Sequence, residues 1–214
     1  MLNRLVQPDL GTETTEQKRS CFLQIWQDLK DPDTCDVLVV GGPPGAGKTE
    51  TVNRIALKLA QEGILTKIID IDYLLEQSQY GRDEYHRIKW QELFARYLEE
   101  LTLDKRARAI LISGTFVVPQ SRTDVEELAL TYNARFHGMF NVINLEDSIA
   151  AQMSRAGHPD TKETIVERAT AFFRNHGDQL TTELFGPSWL HLSGISQLEE
   201  VVGSTLGPYI VSEP

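Results

Sequence analysis

The chain has 214 residues, 41% hydrophobic and 24% charged, ordinary values for one soluble α/β domain, and a chain of this length buries a full core without metal or disulfide support. Its formal net charge of −10, from 31 acidic against 21 basic side chains, argues against a nucleic-acid backbone as the main ligand. Cys21 and Cys35 lack metal-type spacing and make no disulfide framework, no apolar run is long enough to span a bilayer, and Met1-Leu2-Asn3-Arg4 does not open a signal-peptide core, so a reducing, cytoplasmic setting is expected.

In chain order, residues 1 to 13 read as an irregular leader containing Pro8, Asp9 and Gly11. Thr14 with Gln17 three residues on predicts a capping box. Phe22, Ile25, Trp26 and Leu29 then repeat at helical spacing until Asp31-Pro32-Asp33. Residues 1–33 are thus expected to be an N-terminal extension with one amphipathic helix. That helix packs on a domain over 34–214 or, alternatively, binds a partner. Val37-Leu38-Val39-Val40 predicts a buried strand ending at Gly41, and a helix is expected over 50–60 with Val52, Ile55, Ala56 and Leu59 on one face, stopped at Gly63. Further strands are expected at 66–72, 109–113, 140–145 and 189–192. Helices are expected at 83–103, 121–133, 147–154, 162–184 and 197–206, with a break at Gly157-His158-Pro159-Asp160. Strands alternating with helices predict a parallel five-stranded sheet covered on both faces.

Between the first strand and the next helix stands Gly42-Pro43-Pro44-Gly45-Ala46-Gly47-Lys48-Thr49, which fits G-x-x-x-x-G-K-[ST] at every fixed position. A buried strand, a glycine turn and a helix N-terminus form a cradle whose backbone N–H groups and helix dipole hold phosphates. These eight residues, with Glu50 at the helix start, are the candidate nucleotide ligands. Lys48 is placed for the β- and γ-phosphates and Thr49 for Mg²⁺. The motif predicts a three-layer P-loop NTPase fold that binds a nucleoside triphosphate with Mg²⁺, and ATP is the expected cofactor.

Asp70-Ile71-Asp72 closes the second predicted strand. On a strand both carboxylates would point the same way, beyond the carboxyl ends where ligands of open α/β sheets sit. Asp70 is the candidate for ordering Mg²⁺ waters, and Asp72 for taking the proton of an acceptor hydroxyl. Ser113 and Thr115 follow the third strand, where no acid stands, and are candidate substrate contacts, as is Arg122 on the same rim, along with Arg82 and Arg87. Arg155 and Arg168 flank the 157–160 break, and arginines in such a short closing lid stabilise the charge gathered on a transferring phosphoryl group.

These pieces in this order resemble the small-molecule and nucleotide kinases of the P-loop class, a group that includes adenylate kinase, shikimate kinase, chloramphenicol phosphotransferase and the zeta toxins. Ile69-Asp70-Ile71-Asp72-Tyr73 and Ser113-Gly114-Thr115 look most like the zeta-type kinases, which phosphorylate a sugar-nucleotide hydroxyl. The resemblance implies that Asp72 is the general base, Lys48 and Thr49 the phosphate and Mg²⁺ ligands, and Arg155 and Arg168 the lid arginines. The chain departs from that family in having Ser113 where it carries an acid, and Phe116-Val117-Val118 where it carries an arginine. The expected activity is transfer of the γ-phosphate of ATP to a hydroxyl of a small molecule. The alternatives are a nucleoside monophosphate kinase, and a nucleotide-dependent switch acting through the N-terminal helix.

Overall fold

The computed structural model describes residues 13–71, 92, 94–97, 99, 109–155, 161–180 and 188–207. Helix α1 (Thr15–Asp28) opens with the expected capping box: the Gln17 backbone N–H donates to Thr14 Oγ1 at 3.3 Å, and the Thr14 N–H donates to Gln17 Oε1 at 2.8 Å. Strand β1 (Asp36–Gly41) is buried along its whole length, as a near-continuous apolar run dictates for a strand covered on both faces. It leads through the glycine-rich loop into α2 (Lys48–Gln61). Then follow β2 (Thr66–Asp70), β3 (Ala109–Gly114), α3 (Pro119–Thr131), β4 (Arg135–Val142), α4 (Leu145–Met153) and α5 (Lys162–His176). After α5 come a 3₁₀ turn (Gly177–Leu180), β5 (Trp189–Ser193) and α6 (Gly194–Leu198), which continues through a π-helical turn (Glu199–Gly203) into Ser204–Leu206.

The five strands are all parallel in the order β2-β3-β1-β4-β5. Alternation along each strand sorts the core into two layers. Leu38, Val40, Leu111, Met139, Leu190 and Leu192 pack under α1, α2 and the α6 segment, with Phe22, Ile55 and Val201. Val37, Val39, Ile110, Ile112, Phe140 and Trp189 pack on the other face, with Val125 and Ala129 of α3 and Phe172 and Phe173 of α5. This is the three-layer α/β sandwich of the P-loop NTPase fold. Phe94, from the predicted 83–103 helix, is helical and fully buried in the second layer. The remainder of that helix, apart from residues 92, 95–97 and 99, lies outside the described residues.

The helix expected over 162–184 ends at His176, and the one expected from 197 begins at Gly194; three further boundary shifts bear on the site. β4 begins at Arg135, five residues before the predicted start, because Arg135 and His137 point at a buried carboxylate. Arg135 Nε donates to Asp36 Oδ1 at 2.7 Å, and His137 Nε2 lies 3.0 Å from the same oxygen. The strand also ends at Val142, since Asn144 caps α4 by accepting the Asp147 N–H at 2.8 Å. β2 ends at Asp70, and Ile71 already has helical geometry, so alternation along a strand no longer places Asp72, which lies outside the described residues.

Candidate functional site

The glycine-rich loop leaves the carboxyl end of the central strand. Gly42, Gly45 and Gly47 all have positive φ, at 151°, 81° and 77°, and Gly47 is the left-handed N-cap of α2. The loop is tied down from three directions. Its own turn is closed by the Ala46 N–H donating to the Pro43 carbonyl at 3.2 Å, and the Gly42 N–H donates to the Thr115 carbonyl at 3.2 Å. From β4, Asn141 Nδ2 donates to the Ala46 carbonyl at 2.9 Å, and from α4 the buried Ser148 hydroxyl donates to the Pro44 carbonyl at 2.6 Å. Gln152, one turn on, donates to both the Ser148 carbonyl and its hydroxyl at 3.2 Å. Asn141 and Ser148 were not singled out in the sequence. The signal for Asn141 is an amide inside Phe140-Asn141-Val142-Ile143, where a buried polar group needs a partner.

Lys48 is 6% exposed, and its ammonium donates to the Pro43 carbonyl at 3.2 Å, which folds the side chain back over the loop. Thr49 Oγ1 donates to Asp70 Oδ2 at 2.9 Å, joining the first turn of α2 to the end of β2. Ser113 is the register partner of Asp70 on β3, so both face the α2 side of the sheet. It is buried, and its Oγ has no hydrogen-bond partner among the described residues. A hydroxyl, a carboxylate and an orphaned buried hydroxyl make an all-oxygen set at a helix N-terminus, which fits Mg²⁺ with a largely aqueous shell. Among the described residues no cluster of three or more His, Cys, Asp or Glu could hold a metal ion. Glu50 lies exposed in the first turn of α2, beside the positive end of the helix dipole.

Arg122 does not sit on the rim as a substrate reader. It is 4% exposed in the first turn of α3, and its Nη1 donates to the carbonyls of Phe116 at 2.9 Å and Val117 at 2.8 Å. Burial lowers its pKa to about 10, which still leaves it charged at neutral pH. The guanidinium shapes the β3–α3 loop, and the Phe116-Val117-Val118 run is where its carbonyls come from. His191 of β5 packs near the Phe140 ring at 6.4 Å between centroids. Burial, with the charges of Lys18 and Arg122, lowers its pKa to about 4, so the imidazole is neutral.

Arg155 is exposed just past the end of α4, and Arg168 is exposed on α5, which packs beside α4. Ser148, Gln152 and Arg155 follow at helical spacing, so Arg155 continues the stripe of α4 that touches the loop. The predicted break at 157–160 lies outside the described residues.

No protein-family model matches the chain, and no curated protein does. Among solved structures it is similar to APE1195, with 16% identity, 81% of this chain and 94% of that chain covered, and a TM-score of 0.49. It is also similar to the tunicamycin resistance protein of Deinococcus radiodurans, with 17% identity, 82% and 97% covered, and a TM-score of 0.44. A third is the Mycobacterium tuberculosis APS kinase CysC in complex with AMPPNP and APS, with 16% identity, 66% and 96% covered, and a TM-score of 0.44. These likenesses are distant, and the fold is defined by the strand order and loop geometry of the chain itself. No helix among the described residues is long and apolar enough to cross a membrane.

Proposed function

We propose that the chain is an ATP- and Mg²⁺-dependent phosphotransferase that moves the γ-phosphate to a hydroxyl of a small molecule. The observation that carries this reading is the 2.9 Å hydrogen bond between Thr49 and Asp70 at the positive end of α2, directly after the glycine-rich loop. When bound, Mg²⁺ supplies positive charge to the β- and γ-phosphate oxygens. Thr49 is the residue that would hold it, Asp70 would order its waters, and Ser113 lies beside them. The loop N–H groups and the α2 dipole bind and orient the triphosphate. Lys48 exchanges the Pro43 carbonyl for phosphate oxygen, so its ammonium reaches the charge developing there already largely desolvated.

In this reading Asp72 takes the proton of the acceptor hydroxyl, and Arg155 and Arg168 close over the transferring group. The helical stripe that runs from Ser148 on the loop to Arg155 supports the lid assignment. The resemblance of Asp70-Ile71-Asp72 and Gly114-Thr115 to the zeta-type kinases favours a sugar-nucleotide acceptor, and Ser113 departs from that pattern. Burial of Arg122 among backbone carbonyls removes one of the three arginines that a nucleoside monophosphate kinase could use to clamp an acceptor phosphate, while Arg82 and Arg87 lie outside the described residues.

The test is a screen of metabolites with Mg²⁺ and ATP, read by the mass gained on phosphorylation. One or more hydroxyl-bearing acceptors are expected to be phosphorylated. Asp72→Asn should lower transfer by roughly two orders of magnitude or more while leaving ATP affinity intact. No acceptor, together with ATP hydrolysis that only a protein partner stimulates, would replace this reading with the switch.

A further inference from the structure

The N-terminal helix carries a buried lysine whose job the reading above leaves unassigned. Lys18 of α1 is 3% exposed, and a buried ammonium is uncommon unless something holds it. Among the described residues its Nζ donates to Gln197 Oε1 at 3.2 Å, and the same oxygen accepts the Ser193 backbone N–H at 2.8 Å. Ser193 ends β5, and the chain then turns at Gly194, with φ of 83°, into α6. Ile195 and Leu198 of that helix lie against Gly47, where their side-chain carbons fall 3.5 and 3.2 Å from the position a Cβ would take. Lys18 therefore reaches the N-cap of the phosphate-binding helix through one side-chain amide and one tight turn. Arg19 reinforces the contact, donating to the Glu200 carbonyl at 3.3 Å and to its carboxylate at 2.9 Å.

The sheet order says which end of the ligand this turn meets. Asp70 and Thr49 mark the metal side, toward β2 and β3, and β5 is the opposite edge. A nucleoside leaving a triphosphate held with its γ end toward β2 runs toward β4 and β5, where Ile195 stands 39% exposed beside the loop. Resting on that proposed function, we infer that Lys18 is a positioning residue that fixes, through Gln197, the turn on which the nucleoside of ATP lies. The N-terminal helix is then part of the nucleotide site, although it touches no phosphate.

The experiment measures dissociation constants of the full chain for Mg²⁺-ATP and for Mg²⁺-tripolyphosphate by calorimetry, in Lys18→Met, Gln197→Met and the double variant. ATP affinity is expected to fall about fivefold to tenfold in each single variant, the loss of one to two hydrogen-bond equivalents. Tripolyphosphate, which has no nucleoside, should bind unchanged, and the double variant should be no weaker than Gln197→Met alone. Gln197 is only partly buried, so its variant carries the test if Lys18→Met does not fold. Equal losses for the two ligands would show a general loosening of the fold and overturn the inference. Unchanged ATP affinity in both variants would overturn it while leaving the proposed function standing. Failure of the unaltered chain to bind ATP would overturn both.

Discussion

Gly45 and Gly63 share a positive φ, of 81° and 79°, but not an environment. A Cβ on Gly63 meets nothing within 4 Å, whereas one on Gly45 would stand 2.8 Å from the Ser148 carbonyl oxygen and 3.3 Å from the Ala151 Cβ. Alanine at Gly63 therefore carries only the left-handed penalty, about 1–2 kcal/mol. At Gly45 the same penalty is joined by an overlap with helix backbone, which cannot swing aside as a side chain can, and which adds about 1–3 kcal/mol. The midpoint of thermal unfolding should fall by about 2–8 °C for Gly63→Ala and by about 4–20 °C for Gly45→Ala, at about 2–4 °C per kcal/mol for a chain of this size. Only Gly45→Ala should also weaken Mg²⁺-ATP binding, by about tenfold or more, since relief of the overlap separates the loop from α4. The assays are melting curves and calorimetric titration of the two variants side by side. Equal melting shifts with unchanged ATP affinity would refute the claim that α4 is the seat of the phosphate loop.

Asp70→Asn keeps the hydrogen bond from Thr49 but removes the carboxylate charge, so the Mg²⁺ concentration for half-maximal ATP binding should rise about tenfold or more, as an Mg²⁺ titration would read. Arg135→Met strips the fully buried Asp36 of its guanidinium and should cost about 2–4 kcal/mol in urea unfolding, toward the lower end because Arg135 itself is partly exposed. Burial alone would raise the Asp36 pKa, but the hydrogen bonds from His137, Arg135 and Thr34 overcome it and hold the value below the ordinary carboxylate range. That stabilisation is complete above the unfolded-state value and is lost as pH falls through the lower folded one, so unfolding curves of Arg135→Met and the parent should converge in strong acid. His191 behaves oppositely, because its folded pKa of about 4 lies below the ordinary 6.5. Between those values the unfolded chain binds a proton that the folded chain refuses, so stability should drop by up to about 3 kcal/mol as pH falls across the window. His191→Phe should remove that slope.

The glycine loop and the elements touching it were legible because several local signals agree there: an apolar run, obligatory positive-φ glycines and an amphipathic helix. The capping box of α1 was legible for the same reason. What escaped was set by partners distant in sequence. Arg135 and His137 look like loop residues until Asp36 is known to lie buried beside them, and Arg122 looks like a substrate contact on the rim until the β3–α3 loop turns its carbonyls inward. The second acid of Asp70-Ile71-Asp72 was placed by assuming that a strand continues, and Ile71 shows that it does not. Lys18 and Gln197, 179 positions apart, carry no mutual signal in a single sequence.

Helix α4 is the outer wall of the glycine-rich loop, through Ser148 and Pro44, and Arg155 follows two residues past its end at Met153. A short rigid body with both attachments behaves as a lever. Under the proposed function, a change in how it seats on the loop would also shift the arginine. Across a series of substitutions on the Ser148–Gln152 stripe, the logarithm of ATP affinity and the logarithm of the transfer rate should then fall on a single line. Under the proposed function, selection acting on such a helix would change grip and reactivity together.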